Sequence, residues 1–209
     1  MFIPRHFAND DRAALHAVMR DYAFALMITC DDGRPFATHL PFVLDAGAGA
    51  NGTLLGHVSR ANPHWRGFDG TRDALAIFQG PHAYVSPSWY ETEHAVPTWN
   101  YVAVHAYGRP RAFEDKEATI AVLKRLVARH ETPATGPWSM DRLPADYMEM
   151  MVKGIVAFEM PIDRLEGKFK LSQNKSEADR RGVVRGLKAV ADDPLAAEVA
   201  RLMAESPNR

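Results

Sequence analysis

The stretch FALMITCDDGRPFATHLPFVL, residues 24–44, decides the fold. Its first arm sets Phe24, Leu26, Ile28 and Cys30 against smaller residues, a period of two that belongs to strands and not to helices. Asp32-Gly33 then supplies a hairpin turn, because both positions tolerate the positive φ such a turn needs. The second arm alternates again, with Thr38, Leu40, Phe42 and Leu44 against His39, Pro41 and Val43. The chain therefore contains an antiparallel hairpin, with Cys30 and its alternating companions expected in the core.

Working outward, Ala46 to Gly52 is a Gly/Ala/Asn turn before a strand from Thr53 to Ser59, and Asn62-Pro63 opens a short helical turn around Trp65. Two further strands are expected over Ala74–Gln79 and Ala83–Val85. A long one runs from Thr98 to Phe113, with Trp99, Tyr101, His105 and Tyr107 on one face, and another runs from Ile155 to Met160, reaching toward Leu165. Helical periodicity marks Asp10 or Asp11 to Tyr22, Asp115 to His130, Ala145 to Val152, Ser176 to Val190 and Pro194 to Ala204. Regular βαβ alternation is missing, which disfavours a doubly wound parallel sheet. The pattern predicts a mainly β protein with added helices: a six-stranded antiparallel barrel over residues 1–190, a helical insertion at about 115–152, and a helical tail over 191–209.

Composition narrows the function. The 209 residues are 46% hydrophobic and 24% charged, enough for a packed core and too apolar for long disorder. A net charge of -1 argues against a broad nucleic-acid footprint. Cys30 is the single cysteine, so no intrachain disulfide or thiolate cage forms, as suits a reducing cytoplasm. The start, MFIPRHFANDD, lacks the apolar run of a signal peptide, and no segment reaches the roughly 18 apolar residues of a membrane span. The nine histidines form no HxH or HExxH pair, so no metal is expected. GxSxG and GxGxxG motifs are absent too.

Three segments hold the polar groups that chemistry needs. In Gly56-His-Val-Ser-Arg-Ala-Asn-Pro-His-Trp65, a hydroxyl and a guanidinium follow a strand into a turn, a place where an anion can be gripped. The alternative is a surface Arg60 with Asn62 capping the turn. The first lysine is Lys116, so an anion held by the N-terminal half must meet arginine or backbone amides. Gly80 to Tyr90 and Val96 to Tyr101 bring aromatic and hydroxyl groups close together, either to frame a flat heteroaromatic ring or to fill the core or a dimer contact. Gly167-Lys-Phe-Lys-Leu-Ser-Gln-Asn-Lys175 is dense in polar groups, for a ligand or as a solvated turn capped through Ser176.

These strings together resemble the PaiB family of FMN-binding negative transcriptional regulators. The likeness rests on Met-Phe-Ile-Pro-Arg-His-Phe7, Thr38-His-Leu-Pro-Phe42, Gly56 to Pro63, Ile77-Phe-Gln-Gly-Pro81, Ala83 to Tyr90, Val96 to Tyr101, Val104-His-Ala-Tyr-Gly108 and Lys170-Leu-Ser-Gln-Asn174, in order along the chain. The resemblance implies an FMN-binding split barrel, related to pyridoxamine-phosphate oxidases and flavin reductases and dimeric with FMN between subunits. By the same likeness His57, Ser59, Arg60 and Asn62 lie on the phosphate side. Thr98, Trp99 and Asn100 lie on the ring side, and Lys170, Ser172, Gln173 and Asn174 reach over from the late strand.

The expected function is then PaiB-type repression of the protease and sporulation kind. The alternatives are an FMN-dependent oxidoreductase and a flavin carrier with neither activity. Direct DNA contact rests only on Arg180, Arg181, Arg185 and Lys188, a charge run of the kind that is more often simply a solvated helix face.

Overall fold

The computed structural model describes residues 1–113, 115–136, 138–190 and 192–206. Of the tail drawn at 191–209, Ala191 and residues 207–209 lie outside the described residues. The elements, in chain order, are β1 (Ala8–Asn9), α1 (Arg12–Asp21), β2 (Phe24–Asp31), β3 (Arg34–Pro41), β4 (Val43–Asp45), β5 (Thr53–Ser59), β6 (Ala74–Val85), β7 (Thr98–Gly108), β8 (Arg111–Ala112), α2 (Lys116–His130), α3 (Ala145–Lys153), β9 (Ile155–Lys170), α4 (Glu177–Ala189) and α5 (Pro194–Glu205). Strand order is β3-β2-β6-β7-β9-β5-β4, with β1 and β8 also on β9. This is the mainly β architecture with added helices that the sequence predicts.

Among the described residues nine strands stand where six were expected. The second hairpin arm splits into β3 and β4 on either side of Phe42, and Pro41, which has no N–H to give a ladder, ends the first piece. Strands of two residues, such as β1 and β8, are too short for periodicity to register. Conversely, the two strands expected over 74–85 are one continuous β6.

The chain forms two compact units, one of residues 16–78 and 105–165, the other of residues 1–15, 79–104 and 166–209. In the first, Asp32 and Gly33 take φ of 48° and 73° and close the β2–β3 hairpin, with Thr29 opposite Phe36 and Met27 opposite Thr38. The buried face of β2 is Ala25, Met27 and Thr29, whereas Phe24 is 68% exposed and Cys30 is exposed. This reverses the expected face and removes Cys30 from the core. Both faces of β2 carry apolar residues, and a period of two fixes alternation without saying which set turns inward. Phe42, Phe68, Phe78 and Phe158 form the core, with ring centroids 4.8–6.1 Å apart in contacting pairs. Gly56 makes room for them, since a Cβ there would sit 3.0 Å from both Phe158 and Leu40. The cap of α2 is Asp115, whose carboxylate accepts from Ala118 N–H at 2.6 Å, and Val122 and Leu126 pack on Leu55 and Ala157.

In the second unit β1 pairs with the end of β9, Ala8 opposite Lys168 and Asn9 opposite Gly167. Helix α4 starts at Ser176, which caps it by accepting from Asp179 N–H at 3.1 Å. It presents Gly182 and Gly186 to Trp89; a Cβ on Gly186 would lie 2.2 Å from the indole. Helix α5 packs on α4 and buries Ala196, Val199, Ala200 and Met203. Arg180 is 7% exposed and donates to the carbonyls of Leu171, Met203 and Ser206, so it joins α4 to α5 instead of facing solvent.

Candidate functional site

The ring-side set and the late-strand set meet in the second unit. Along β7 the alternation puts Asn100 fully inside and Trp99 52% exposed. Lys170, the last residue of β9, donates through Nζ to Thr98 Oγ1 at 2.6 Å and to the carbonyl of Trp99. Asn100 Nδ2 donates to Ser172 Oγ at 2.9 Å, and Ser172, at a φ of 60°, returns its hydroxyl to Asn100 Oδ1 at 3.2 Å. Gln173 folds back on its own turn, accepting from Leu171 N–H at 2.8 Å and donating to Phe169 O at 2.6 Å. Asn174 is exposed and makes no side-chain hydrogen bond among the described residues.

Three ammonium groups gather around this frame. Lys168 is 8% exposed, donates to Phe2 O at 3.1 Å and lies over the rings of Phe2 and Tyr101. Lys170 lies over Phe7, and Lys175 is 4.9 Å from the ring centre of Tyr90. None of the three forms an ion pair with a carboxylate among the described residues. Burial, with the charges of Lys168 and Lys175 behind it, pushes the Lys170 ammonium below its ordinary pKa. Partly desolvated cations without counter-ions, beside the exposed rings of Trp99 and Tyr84, suit a planar group that carries or develops negative charge.

The loop after Trp89 is held by a residue that the sequence reading missed. Asp179, 3% exposed, accepts from the N–H groups of Glu91 and Thr92 at 2.8 and 3.0 Å and from the Thr92 hydroxyl at 2.7 Å. These bonds, the Thr92 hydroxyl first, lower its pKa to about 2. The available signal was Ser176-x-x-Asp179, a capping box at the start of α4, which gives no sign of the carboxylate's long-range bonds. Lys168 was also missed, because a lysine late on a strand reads as solvated.

The phosphate-side set lies in the first unit. Nδ1 of His57 is buried without a hydrogen-bond partner among the described residues, and burial lowers its pKa and keeps the ring neutral. The hydroxyl of Ser59 accepts from Ala61 N–H at 3.3 Å. Arg60 is latched to the end of α3, with Nε donating to Lys153 O at 2.8 Å and Nη2 to Ile155 O at 3.0 Å, where a helix C-terminus favours a cation. Its Nη1 stays uncommitted among the described residues, and its guanidinium lies 5.8 Å from the ring centre of Trp65. Asn62 is committed at both ends, accepting from His64 N–H at 3.0 Å and donating to Thr38 Oγ1 at 3.1 Å. The capping role open to Asn62 is therefore what its carbonyl does, and Ser59 and Nη1 of Arg60 are the groups left for an anion.

A family model described as "Putative FMN-binding domain" matches residues 1–164. The chain belongs to this FMN-binding family. The protein of Bacillus subtilis named Protease synthase and sporulation protein PAI 2 is 36% identical over 203 residues, covering 97% of this chain and 96% of the relative. Among solved structures, the flavocytochrome Anf3 of Azotobacter vinelandii superposes with a TM-score of 0.55 at 15% identity, covering 80% of this chain and 72% of its own. The conserved hypothetical protein Rv2991 of Mycobacterium tuberculosis gives a TM-score of 0.57 at 12% identity, covering 85% and 95%. At such identities the likeness is one of fold, the flavin-binding split barrel. The family cofactor is FMN, and the residues present fit it. Within the second unit, the lysines without counter-ions around Thr98 and Asn100 suit a ring that takes up negative charge, and within the first unit Ser59 with the free edge of Arg60 suits a phosphate. Among the described residues no group of three or more His, Cys, Asp or Glu side chains is placed to hold a metal, and no helix is long and apolar enough to cross a membrane.

Proposed function

We propose that this chain is a cytoplasmic FMN-binding homodimer that acts as a negative transcriptional regulator of the PaiB type. The observation that carries the reading is the 36% identity to the Bacillus subtilis PAI 2 protein across 97% of the chain, since it spans the barrel and the C-terminal helices alike. Thr98, Trp99, Asn100, Lys170, Ser172, Gln173 and Asn174 serve the flavin ring. Of the set His57, Ser59, Arg60 and Asn62, Ser59 and Arg60, the latter through Nη1, serve the phosphate end, and Asn62 holds the turn that carries them. The exposed rings of Tyr84 and Trp99, whose centroids lie 6.1 Å apart, favour a second copy, because aromatic residues are enriched in interfaces.

Direct DNA contact has thin support. With Arg180 buried and Arg181 paired to Glu177, only Arg185 and Lys188 of the basic run remain for phosphates. Any such binding is weak and falls steeply with salt. Three measurements on the purified protein test the reading: its absorption spectrum with added FMN, its sedimentation, and the anisotropy of labelled operator DNA across a salt series. A bound-flavin spectrum on a dimer without rapid NAD(P)H oxidation supports it. The ring of FMN supplies hydride or electron transfer when bound, so several NAD(P)H turnovers per second would make the protein an oxidoreductase. A monomer of ~23 kDa would refute the dimer.

A further inference from the structure

In the first unit, α2 covers one face of the β5–β9 pair. His57 stands opposite Ala157 and Ser59 opposite Ile155, and both continue the face that carries Leu55, because alternate residues of paired strands share a side. Val122 and Leu126 of α2 close down on Leu55 and Ala157. The neighbouring ridge of the helix, Leu123 and Val127, instead lines a cavity of about 220 Å³ together with His57 and Ile155. Met148 and Met151, three apart on α3, and Trp138 ahead of that helix line it as well.

This lining has no charge to offer. Its described residues are apolar except His57, and burial lowers the His57 pKa, so the ring is neutral at pH 7. A phosphate or carboxylate would lose its hydration there and gain no cation in return. Size also counts against the family cofactor. An apolar cavity of roughly 150 Å³ takes one benzene ring. This one therefore takes a substituted ring or two fused rings, and not a flavin with its ribityl chain and phosphate.

The lining describes its guest. Trp138 is 46% and Met151 43% exposed, so apolar surface is open to water and is covered when a guest enters. Methionine sulfur gains contact at the edges of aromatic rings, and the unbranched side chain shifts to fit them. Nδ1 of His57 is buried without a hydrogen-bond partner among the described residues, a costly state for a polar atom. Whichever ring nitrogen carries the proton, a hydroxyl satisfies Nδ1, since a hydroxyl both donates and accepts. We propose that this cavity binds a small uncharged phenol, with its ring among Met148, Met151 and Trp138 and its hydroxyl hydrogen-bonded to His57.

The test is titration of the full-length protein, in saturating FMN, with 4-ethylphenol, ethylbenzene and 4-ethylbenzoate, followed by calorimetry and by the NMR signals of the methionine methyl groups. The phenol should bind and shift the signals of Met148 and Met151. Ethylbenzene should bind about threefold to tenfold more weakly, the net worth of a neutral hydrogen bond, and the benzoate should not bind measurably. His57→Leu should erase the difference between phenol and ethylbenzene, and Leu123→Trp, which fills the cavity, should abolish binding of both. If the tryptophan variant does not fold, the methionine signals of the wild type carry the test. No binding of 4-ethylphenol at ~5 mM, binding that leaves both methionines unmoved, or benzoate binding as tightly as the phenol would overturn the proposal. Phenol binding that appears only when FMN is withheld would overturn it too, by making the cavity part of the flavin site. Ethylbenzene equal to the phenol in the wild type would overturn the bond to His57. The phenol titration reads the cavity whether or not FMN binds, so the two readings fail separately.

Discussion

The ammonium of Lys170 lies 2.6 Å from the hydroxyl of Thr98, which joins the end of β9 to the start of β7, and it forms no ion pair with a carboxylate among the described residues. A cation held by a hydroxyl and a carbonyl has no carboxylate to neutralise it before a ligand arrives, while burial first, and then Lys168 and Lys175, weaken its hold on the proton. If this group faces the flavin ring, Lys170→Met lowers affinity for FMN and riboflavin alike, by about tenfold to a hundredfold each. Quenching of flavin fluorescence on titration with the variant measures both constants. A loss confined to FMN would move Lys170 to the phosphate.

Arg60→Ala should do the opposite, weakening FMN about tenfold or more while leaving riboflavin nearly unchanged. It also removes the latch on Lys153 O and Ile155 O, so a lower melting temperature accompanies the loss. Lys124→Ala, on the exposed side of α2, controls for general loss of positive charge. Equal losses for the two flavins would take Arg60 out of the phosphate site.

Asp179 should make stability depend on acid. Its carboxylate is held at about 2 in the fold against an ordinary 3.8, so the fold favours the ionised form. The stability it contributes is fully present above the ordinary value and is lost as pH falls through about 2. The melting-temperature gap between the wild type and Asp179→Asn is therefore wide at pH 6 and narrows between about pH 4 and 2. A gap independent of pH over that window would show that the hydrogen bonds survive protonation.

Gly186→Ala sets helix propensity against packing. Alanine inside a helix gains about 1 kcal/mol over glycine. Here the added methyl meets the Trp89 indole at 2.2 Å, and overpacking costs about 1–3 kcal/mol. Packing wins, and thermal melting should show a drop of several degrees for a chain of this size. A rise in melting temperature would mean that the loop carrying Trp89 yields easily.

Sequence alone determined the classes of element and most of their order. The period of two, the Asp32-Gly33 turn and the aspartate and serine caps are local signals, written within a few residues of the structure they specify. The alternation of β7 likewise assigned Asn100 and Trp99 to opposite faces before any tertiary contact was known. Which face of β2 turned inward was not local, because Phe24, Leu26 and Ile28 are as apolar as the Ala25 and Met27 that were buried in their place. Only the tertiary structure decided that, by setting which side of β2 faces the rest of the core. It also decided what the polar groups do. Asp179 reaches Thr92 across 87 positions and Lys170 reaches Thr98 across 72, and Arg60 turns to carbonyls more than 90 residues away. Such bonds depend on where strands and helices end in space, and a charged or polar residue carries the same letter whether it meets water, a ligand or a distant backbone.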